Sequence, residues 1–539
     1  MHQGAGDLLC QIAKAGRSKT NVTRNLQTCI LKRGVSLPIQ LDLCRVRIRV
    51  RRPRVREVQV YWPCLSMKSW ASVMLNTYPR FMLGGFDLTE ESQWKTLFSG
   101  FWQTYREFDP NHDIYQHSDL DWSTVIPYLI HGDEGRGARQ QPFMVESWQV
   151  LIPFTGPAST TVSGHSFCSR MLFTCVSSKL YSGENTLHDI SVEWTRQMRG
   201  IFEEGVQAGG HTFRFSWCGC KGDWPFLRKV WGLKTGFTSL RKCHLCSSEE
   251  WWNFSDDAPW RVQPSSAPFK DERSPLRDLA GGEDPRNIRP DIFHTFHLGF
   301  GADMAASCIC WMARLQCFGY ARKFDDMLEL AFDFFIQWVH QHKKYTSCKV
   351  FSRDSFKMDT TNDFPTSLGG KGHDTAVVCR WLQHALEQTD VDGQSIQIMR
   401  YTVSCANAIF DILHQNGVFL PARAKHRAII LFRDVCVGYG QLARMAKNAN
   451  LKLFYMRPKV HMFEEIGNLL HTTEENGQTL SPLTSACWSD EDFIGRVSRI
   501  SRATHGLTAT IMTLRRSLGL YAAQFRRQFG GQLRSSHLD

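Results

Sequence analysis

The chain lacks a long hydrophobic run. Its first thirty residues scatter basic side chains through polar sequence, so they contain no apolar core of the kind that a secretory signal requires. The longest apolar stretch, MAASCICWMA, is bounded by Asp303 and Arg314 and is shorter than the roughly 20 residues needed to span a bilayer. We therefore expect an intracellular protein that has no membrane partner.

Regular cysteine spacing, internal repeats and common enzyme motifs are also absent. The eighteen cysteines fall at irregular intervals, which indicates reduced thiols rather than a disulfide framework. No period of about 20 to 50 residues recurs, which argues against solenoids and propellers. LGGKGHDT (368–375) lacks the spacing of a P-loop, and no Ser-His-Asp or Cys-His nucleophile is recognisable. Nothing here indicates a nucleotide-binding loop or a serine or cysteine hydrolase.

Acidic residues are scarce at the start of the chain. Residues 1–56 hold thirteen Lys and Arg residues against Asp7 and Asp42, so eleven of the twelve net positive charges lie there. Within them RVRIRVRRPRVR alternates Arg with Val or Ile, which is typical of a strand with one cationic face or of an extended basic arm. Arg donates to phosphate in bidentate fashion, whereas the alternative is a solvated tail or a strand edge protected by charge. The candidate DNA-binding residues are Arg45, Arg47, Arg49, Arg51, Arg52, Arg54 and Arg56.

The sequence divides into four segments. Residues 1–57 form a basic N-terminal arm whose order or disorder the sequence leaves open. Residues 58–245 contain a helical pattern and three β-type runs rich in β-branched and aromatic residues, which predicts an α/β domain. Residues 246–480 begin as a loop rich in Pro, Ser and Gly and continue as long helical patterns. Residues 481–539 add C-terminal helices, so we predict an α/β core interrupted by a mostly α-helical insertion.

Two acids follow predicted strands. Asp133 in LIHGDEGRG comes after the first β-type run, and Asp223 comes where HTFRFSWCGC gives way to the helical pattern WPFLRKVWGL. Carboxylates on rigid strand ends suit Mg²⁺, which prefers oxygen ligands and retained waters. Each residue taken alone also fits an ordinary turn or cap, because Asp and Gly close together are common turn chemistry.

The second of these acids lies in a segment that resembles a known family. GDWPFLRKVWGL, followed by KCHLC, resembles the second-aspartate region of DDE/D transposases of the CACTA and Plavaka type and of the catalytic subunit of the V(D)J recombinase. In those proteins an Asp ends the fourth strand of an RNase H-like fold, and a Cys-x-x-Cys pair follows about twenty residues later. Asp223, Cys243 and Cys246 keep that spacing.

Two later segments are similar to the same family. RPDIFHTFHLGFGADMA resembles its Asp-x-x-His…Leu-Gly segment, with Asp291 and His294 in place. RPKVHMFEEI and SPLTSACWSDEDFIGRVSRISR resemble its closing region, in which a Glu is followed four residues later by Gly; Glu491 and Gly495 fit. The resemblance covers residues 120–510, but only through these short motifs.

The resemblance implies a fold, a reaction and a site. The fold would be an RNase H-like core with a helical insertion, and the reaction would be metal-dependent DNA strand cleavage and transfer. Asp133, Asp223 and Glu491 would bind two Mg²⁺ ions and would lie within about 4 to 8 Å of one another. The neighbours Glu134, Asp490 and Asp492 compete with these assignments.

Cys243 and Cys246 form half of a Zn²⁺ site, because structural zinc takes four N or S ligands. The resemblance implies that two His residues complete it shortly before the Glu. His461 fills one place, but the positions expected for its partner are Met456 and Glu465. His294, His297 and His471 are substitutes, and a plain pair of buried thiols is the alternative.

The sequence leaves three functions open. The first is a DDE-type transposase that acts on DNA in the nucleus, with homo-oligomer formation left open. The second is a catalytically inactive, transposase-derived scaffold that binds DNA or protein. The third is an unrelated α-rich intracellular protein whose acids are turns and caps. No zinc finger or helix-turn-helix for recognising a DNA end is legible, which weakens the case for an autonomous element.

Overall fold

The computed structural model describes residues 35–530, apart from residues 52–53, 163, 248–249, 256–257 and 259–266, together with a few isolated positions before residue 35. Helices and strands both contribute, so the mixed α/β class that the sequence predicts is confirmed. The helices of more than one turn are α1 (Met67–Thr77), α2 (Glu91–Phe108), α3 (Asn185–Glu203), α4 (Trp224–Trp231), α5 (Gly301–Arg314), α6 (Phe324–Gln341), α7 (Gly372–Gln388), α8 (Gln394–Gln415), α9 (Ala422–Asn448), α10 (Pro458–Asn468), α11 (Trp488–Arg502) and α12 (Ala509–Phe529).

Within the described ranges, the strands form one large sheet and two small pairs. The strands are β1 (Leu41–Val50), β2 (Arg56–Leu65), β3 (Val125–Arg136), β4 (Pro142–Val150), β5 (Met171–Ser177), β6 (Val206–Ala208), β7 (His211–Gly222), β8 (Ile288–Arg289), β9 (Phe419–Leu420) and β10 (Thr479–Leu480). The large sheet has the order β5-β4-β3-β7-β6, and β8 pairs with β7. β3, β4 and β5 run antiparallel, whereas β7 is parallel to β3 and β8 is parallel to β7. The sheet is therefore mixed.

Helices pack on both faces of this sheet. A Cβ atom on Gly132 would lie 2.3 Å from the ring of Phe226 in α4, and one on Gly135 would lie 2.1 Å from the hydroxyl of Ser498 in α11. Because successive residues of a strand point to opposite faces, α4 and α11 cover opposite sides of β3. Asp133 has the parity of Gly135, so its side chain projects to the α11 side.

The described part of the basic segment, which lies at its C-terminal end, is folded into the domain and does not form an isolated arm. β1 and β2 pair antiparallel over their whole length, and residues 41–57 thus belong to a hairpin rather than to a tail. Alternation puts Val46 and Ile48 in the core and leaves Arg45 and Arg49 exposed. The predicted boundary at residue 57 is wrong because burial of the apolar face joins this hairpin to the sheet domain.

The described residues form two hydrophobic cores. The first surrounds the sheet and includes the hairpin together with buried residues of α11 and α12, and the second lies among α5 to α10. Phe269 and Ile288 pack in the first core, so the chain leaves the sheet domain after β8 and not at the predicted residue 246. Local composition missed this boundary because β8 is only two residues long and is set by its pairing with β7.

In the part of the chain that the structure describes, no helix has both the length and the apolar character that crossing a bilayer would require.

Candidate functional site

Two acids lie side by side, one near the end of β3 and one directly after β7. Gly132 of β3 pairs in parallel register with Gly222 of β7. Asp133 and Asp223 are the residues that directly follow these two glycines. Neighbouring strands lie about 4.8 Å apart, so the two acids start from adjacent positions at the same edge. The strand placement that the sequence suggests for both acids therefore brings their backbones together.

Asp223 is also the N-cap of α4. Its backbone is extended (φ −68°, ψ 159°), and its Oδ1 accepts a hydrogen bond from the backbone N–H of Phe226 at 2.7 Å. A carboxylate has two oxygens with several lone pairs, so capping leaves Oδ2 free to bind another group. The cap and the metal-ligand interpretations of this residue are compatible.

Glu491, in the first turn of α11, faces Asp133 from across the sheet edge. The two carboxyl groups share a hydrogen bond, and the His294 Nε2 atom lies 3.1 Å from Glu491 Oε1. Ligand atoms of Asp133, His294 and Glu491 all lie within 4.8 Å of one another, a spacing at which they could hold one cation. Asp223 stands next to this group but does not belong to it at that spacing.

Asp291 fixes the orientation of His294. The Asp291 Oδ2 atom lies 2.6 Å from His294 Nδ1, and the same carboxylate accepts backbone N–H bonds from Phe293, His294 and Cys487. The bond to Cys487 reaches the residue before α11, so one buried carboxylate holds both the imidazole and the start of the helix that carries Glu491. His294 itself lies in a π-helical segment, Phe293–Phe300, a form that is frequent at functional sites.

Electrostatically, the site consists of closely spaced carboxyl groups around the imidazole of His294. Burial, then the charges of Asp223 and Glu491, raise the pKa of Asp133 well above its usual range, and burial also raises the pKa of Asp223. Burial opposes ionisation of both Glu491 and His294. The contact between these two groups, together with the contact of His294 with Asp291, outweighs the effect of burial. The pKa of Glu491 is therefore lowered and that of His294 raised. A divalent cation would relieve the repulsion among the acids.

Asp490 does not compete with Glu491 as a ligand. It is buried on a different side of α11 from Glu491 and pairs with two cations there. Its carboxylate accepts from Arg170 Nη2 at 2.8 Å and from Lys221 Nζ at 2.7 Å, and all three side chains have no exposed surface. Burial would raise the pKa of Asp490, but these two cations outweigh it and hold the pKa far below the usual range. The trio ties α11 to β7 and thereby sets the direction of Glu491.

The other competing acids also face away from Asp133. Asp492 accepts from Ser166 Oγ at 2.7 Å and pairs with Arg496 at 2.6 Å. Glu134 accepts from the hydroxyl of Tyr181 at 2.9 Å. Among the acids that compete by position, Glu491 is the one that lies against Asp133.

A second cluster joins the Cys-x-x-Cys pair to α10. Ligand atoms of Cys243, Cys246, His461 and Glu465 lie within 4.8 Å of one another, and the side chains are largely buried. His461 Nε2 is 3.2 Å from Cys246 Sγ and 3.2 Å from Glu465 Oε1. Two thiols, an imidazole and a carboxylate are a four-ligand set that fits Zn²⁺.

The histidines proposed as further zinc ligands lie elsewhere. His294 belongs to the carboxylate site described above, so its prediction as a zinc ligand is wrong. The prediction of His297 as a zinc ligand is also wrong, because its ring is buried among aromatic rings, with Phe410 at 4.4 Å and Trp488 at 5.0 Å between centroids. His471 is not part of the cluster either. Glu465 occupies the fourth place, and its signal was its position one helical turn after His461.

The candidate DNA-binding arginines have different surroundings. Arg47 is half-buried and forms a bidentate pair with Asp189, at 2.8 Å and 2.6 Å, so its prediction as a free phosphate contact is wrong. Arg52 lies outside the described residues. The exposed members are Arg45, Arg49, Arg51, Arg54 and Arg56.

Comparison of the chain with models of known protein families and with curated protein sequences gave no match. The assignment of function therefore depends on the geometry of the site.

Proposed function

We propose that the chain is a metal-dependent DNA-cleaving and strand-transferring enzyme of the DDE transposase type, built on an RNase H-like core. The strand arrangement supports the fold part of this proposal. Three antiparallel strands, β3 to β5, are followed by β7, which lies parallel to the first of them, and β8 extends the sheet beyond β7. In this count β7 is the fourth long strand, and Asp223 follows it as the resemblance implies.

One observation carries the functional part of the proposal. Asp133 and Asp223 follow the paired glycines of two parallel strands, and Glu491, which lies 268 residues after Asp223 in the chain, reaches the same place from α11. Three acids from such distant segments rarely converge in a half-buried, mutually repelling group without a cationic ligand.

Asp133, Asp223 and Glu491 would hold Mg²⁺ ions, whose oxygen-rich coordination the carboxylates match. Bound ions would activate the attacking water or 3′-hydroxyl and stabilise the leaving oxygen. His294 donates towards Glu491, while Asp291 holds the imidazole in place. In this proposal Cys243, Cys246, His461 and Glu465 hold a structural Zn²⁺ that ties the loop after α4 to α10 near the end of the insertion.

A catalytically inactive scaffold is the second candidate. Each acid of the site already has an internal partner: Asp223 caps α4, Asp133 bonds to Glu491, and Glu491 pairs with His294. Such contacts also stabilise a fold that has no reaction to perform. DNA or protein binding would then be the function.

A nicking and strand-transfer assay with plasmid DNA and Mg²⁺ or Mn²⁺ separates the two candidates. We expect Asp133→Asn, Asp223→Asn and Glu491→Gln each to lower the rate at least about 100-fold. Asp492→Asn is the matched control, because it removes the neighbouring acid that faces away. Full activity in the three site variants would refute the assignment, and an inactive wild type that binds neither ion would favour the scaffold.

A further inference from the structure

The exposed face of α11 continues beyond Glu491 as a basic surface. At about 100° per residue, Glu491, Gly495, Arg499 and Arg502 fall within an arc of about 80°, and Glu491 and Arg502 are about 16 Å apart along the axis. Arg499 and Arg502 are exposed. A Cβ atom on Gly495 would meet no atom within 4 Å, so open space separates the acid from the two arginines.

The turn between β3 and β4 adds two arginines to this surface. Arg502 Nε and Nη2 donate to the carbonyl of Arg136 at 2.9 Å and 2.7 Å, which places the turn against the end of α11. Arg139 is exposed in the same turn and has φ 54°, a left-handed conformation that is uncommon for residues other than glycine. Arg516, about two turns into α12, donates to the carbonyl of Ala503, just after α11.

None of these five arginines forms an ion pair within the described part of the chain, which includes all of α11 and α12. The nearby Arg496 differs, since Asp492 neutralises it at 2.6 Å. Five like charges on neighbouring segments repel one another, and a polyanion would relieve that repulsion. We call this surface the α11 track; it consists of Arg136, Arg139, Arg499, Arg502 and Arg516.

We propose that the α11 track binds the phosphate backbone of duplex DNA and leads it to the carboxylate site. This inference rests on the proposed function, because it assigns a path to the substrate of that site. A length of about 16 Å matches about five phosphates along one strand of a duplex, at 3.4 Å per step. The guanidinium fork donates to phosphate in bidentate fashion, which suits a row of backbone phosphates.

The test measures binding of the full chain to a short labelled DNA duplex in EDTA, between about 50 and 200 mM salt. Arg499→Ala/Arg502→Ala should weaken binding about tenfold at the lower salt and reduce the slope of log K against log salt by about 2. Arg423→Ala/Arg427→Ala is the matched control, because these exposed arginines lie one turn apart on α9 in the insertion. The control should bind like the wild type.

Two further variants keep the outcome interpretable. Arg499→Glu leaves the Arg502 contact with the turn intact and should weaken binding more than Arg499→Ala alone, with an unchanged thermal midpoint. Glu491→Gln should retain binding while losing cleavage. Binding and salt slope that are equal in the track variants and the control, or a wild type that does not bind duplex DNA, would overturn the track. Wild-type protein that binds through the track without cutting would refute only the proposed reaction.

Discussion

Glu146 offers the sharpest quantitative test of the structure. It lies on β4 opposite Gly132, the residue before Asp133, and its side chain is fully buried. Neither carboxyl oxygen has a hydrogen-bond partner among the described residues. Burial raises the pKa of Glu146 from its ordinary value of 4.5 to about 8.

The sign follows from proton linkage. The folded state keeps Glu146 protonated at pH values where the unfolded chain ionises it. Ionisation in the unfolded chain favours unfolding, so the free energy of unfolding falls as pH rises from 4.5 through about 8. Since one pKa unit corresponds to about 1.4 kcal/mol, the loss at pH 7 is about 3 kcal/mol.

Glu146→Gln removes the titration and keeps the shape of the side chain. We expect the wild type to lose about 3 kcal/mol of unfolding free energy relative to this variant between pH 5 and pH 8. Urea titrations at several pH values, followed by tryptophan fluorescence, measure the difference. Glu329→Gln, an exposed change on α6, is the control and should give a flat difference. Parallel pH profiles for the wild type and Glu146→Gln would refute the reasoning.

Two further predictions concern the groups around the site. Asp490→Ala leaves the buried Arg170 and Lys221 without a counter-charge and should lower the unfolding free energy by about 3 to 5 kcal/mol in urea titrations; a loss below about 1 kcal/mol would contradict the buried trio. Cys246→Ser should reduce zinc measured by elemental analysis of the purified chain from about one ion to a small fraction, whereas Cys379→Ser, a buried thiol outside the cluster, should leave it unchanged.

The helices and strands that carry the site can largely be predicted from the sequence. The run HTFRFSWCGC predicts β7, and the polar residue before WPFLRKVWGL predicts the start of α4; the structure has both, with Asp223 as the N-cap. The long helical patterns after residue 300 likewise predict the helices of the insertion. These features follow from neighbouring residues, because strand alternation, helical periodicity and capping act over a few positions.

Three decisions required the tertiary structure. Which of Asp490, Glu491 and Asp492 enters the site depends on the rotation of α11, and that rotation is set by burial of Asp490 between Arg170 and Lys221. Sequence spacing alone cannot choose among three consecutive acids, since each points in a different direction around the helix axis.

The remaining two decisions are the partners of the histidines and the state of the basic segment. His294 joins the acids and Glu465 joins the cysteines because the π-helical segment and α10 pack where they do, far from these partners in sequence. RVRIRVR becomes a strand of the folded domain because its Val and Ile side chains find a core to enter. The sequence by itself determined the long helices, the main strands of the sheet and the candidate acids. Only packing between distant segments, which no local pattern encodes, decided which of those residues meet.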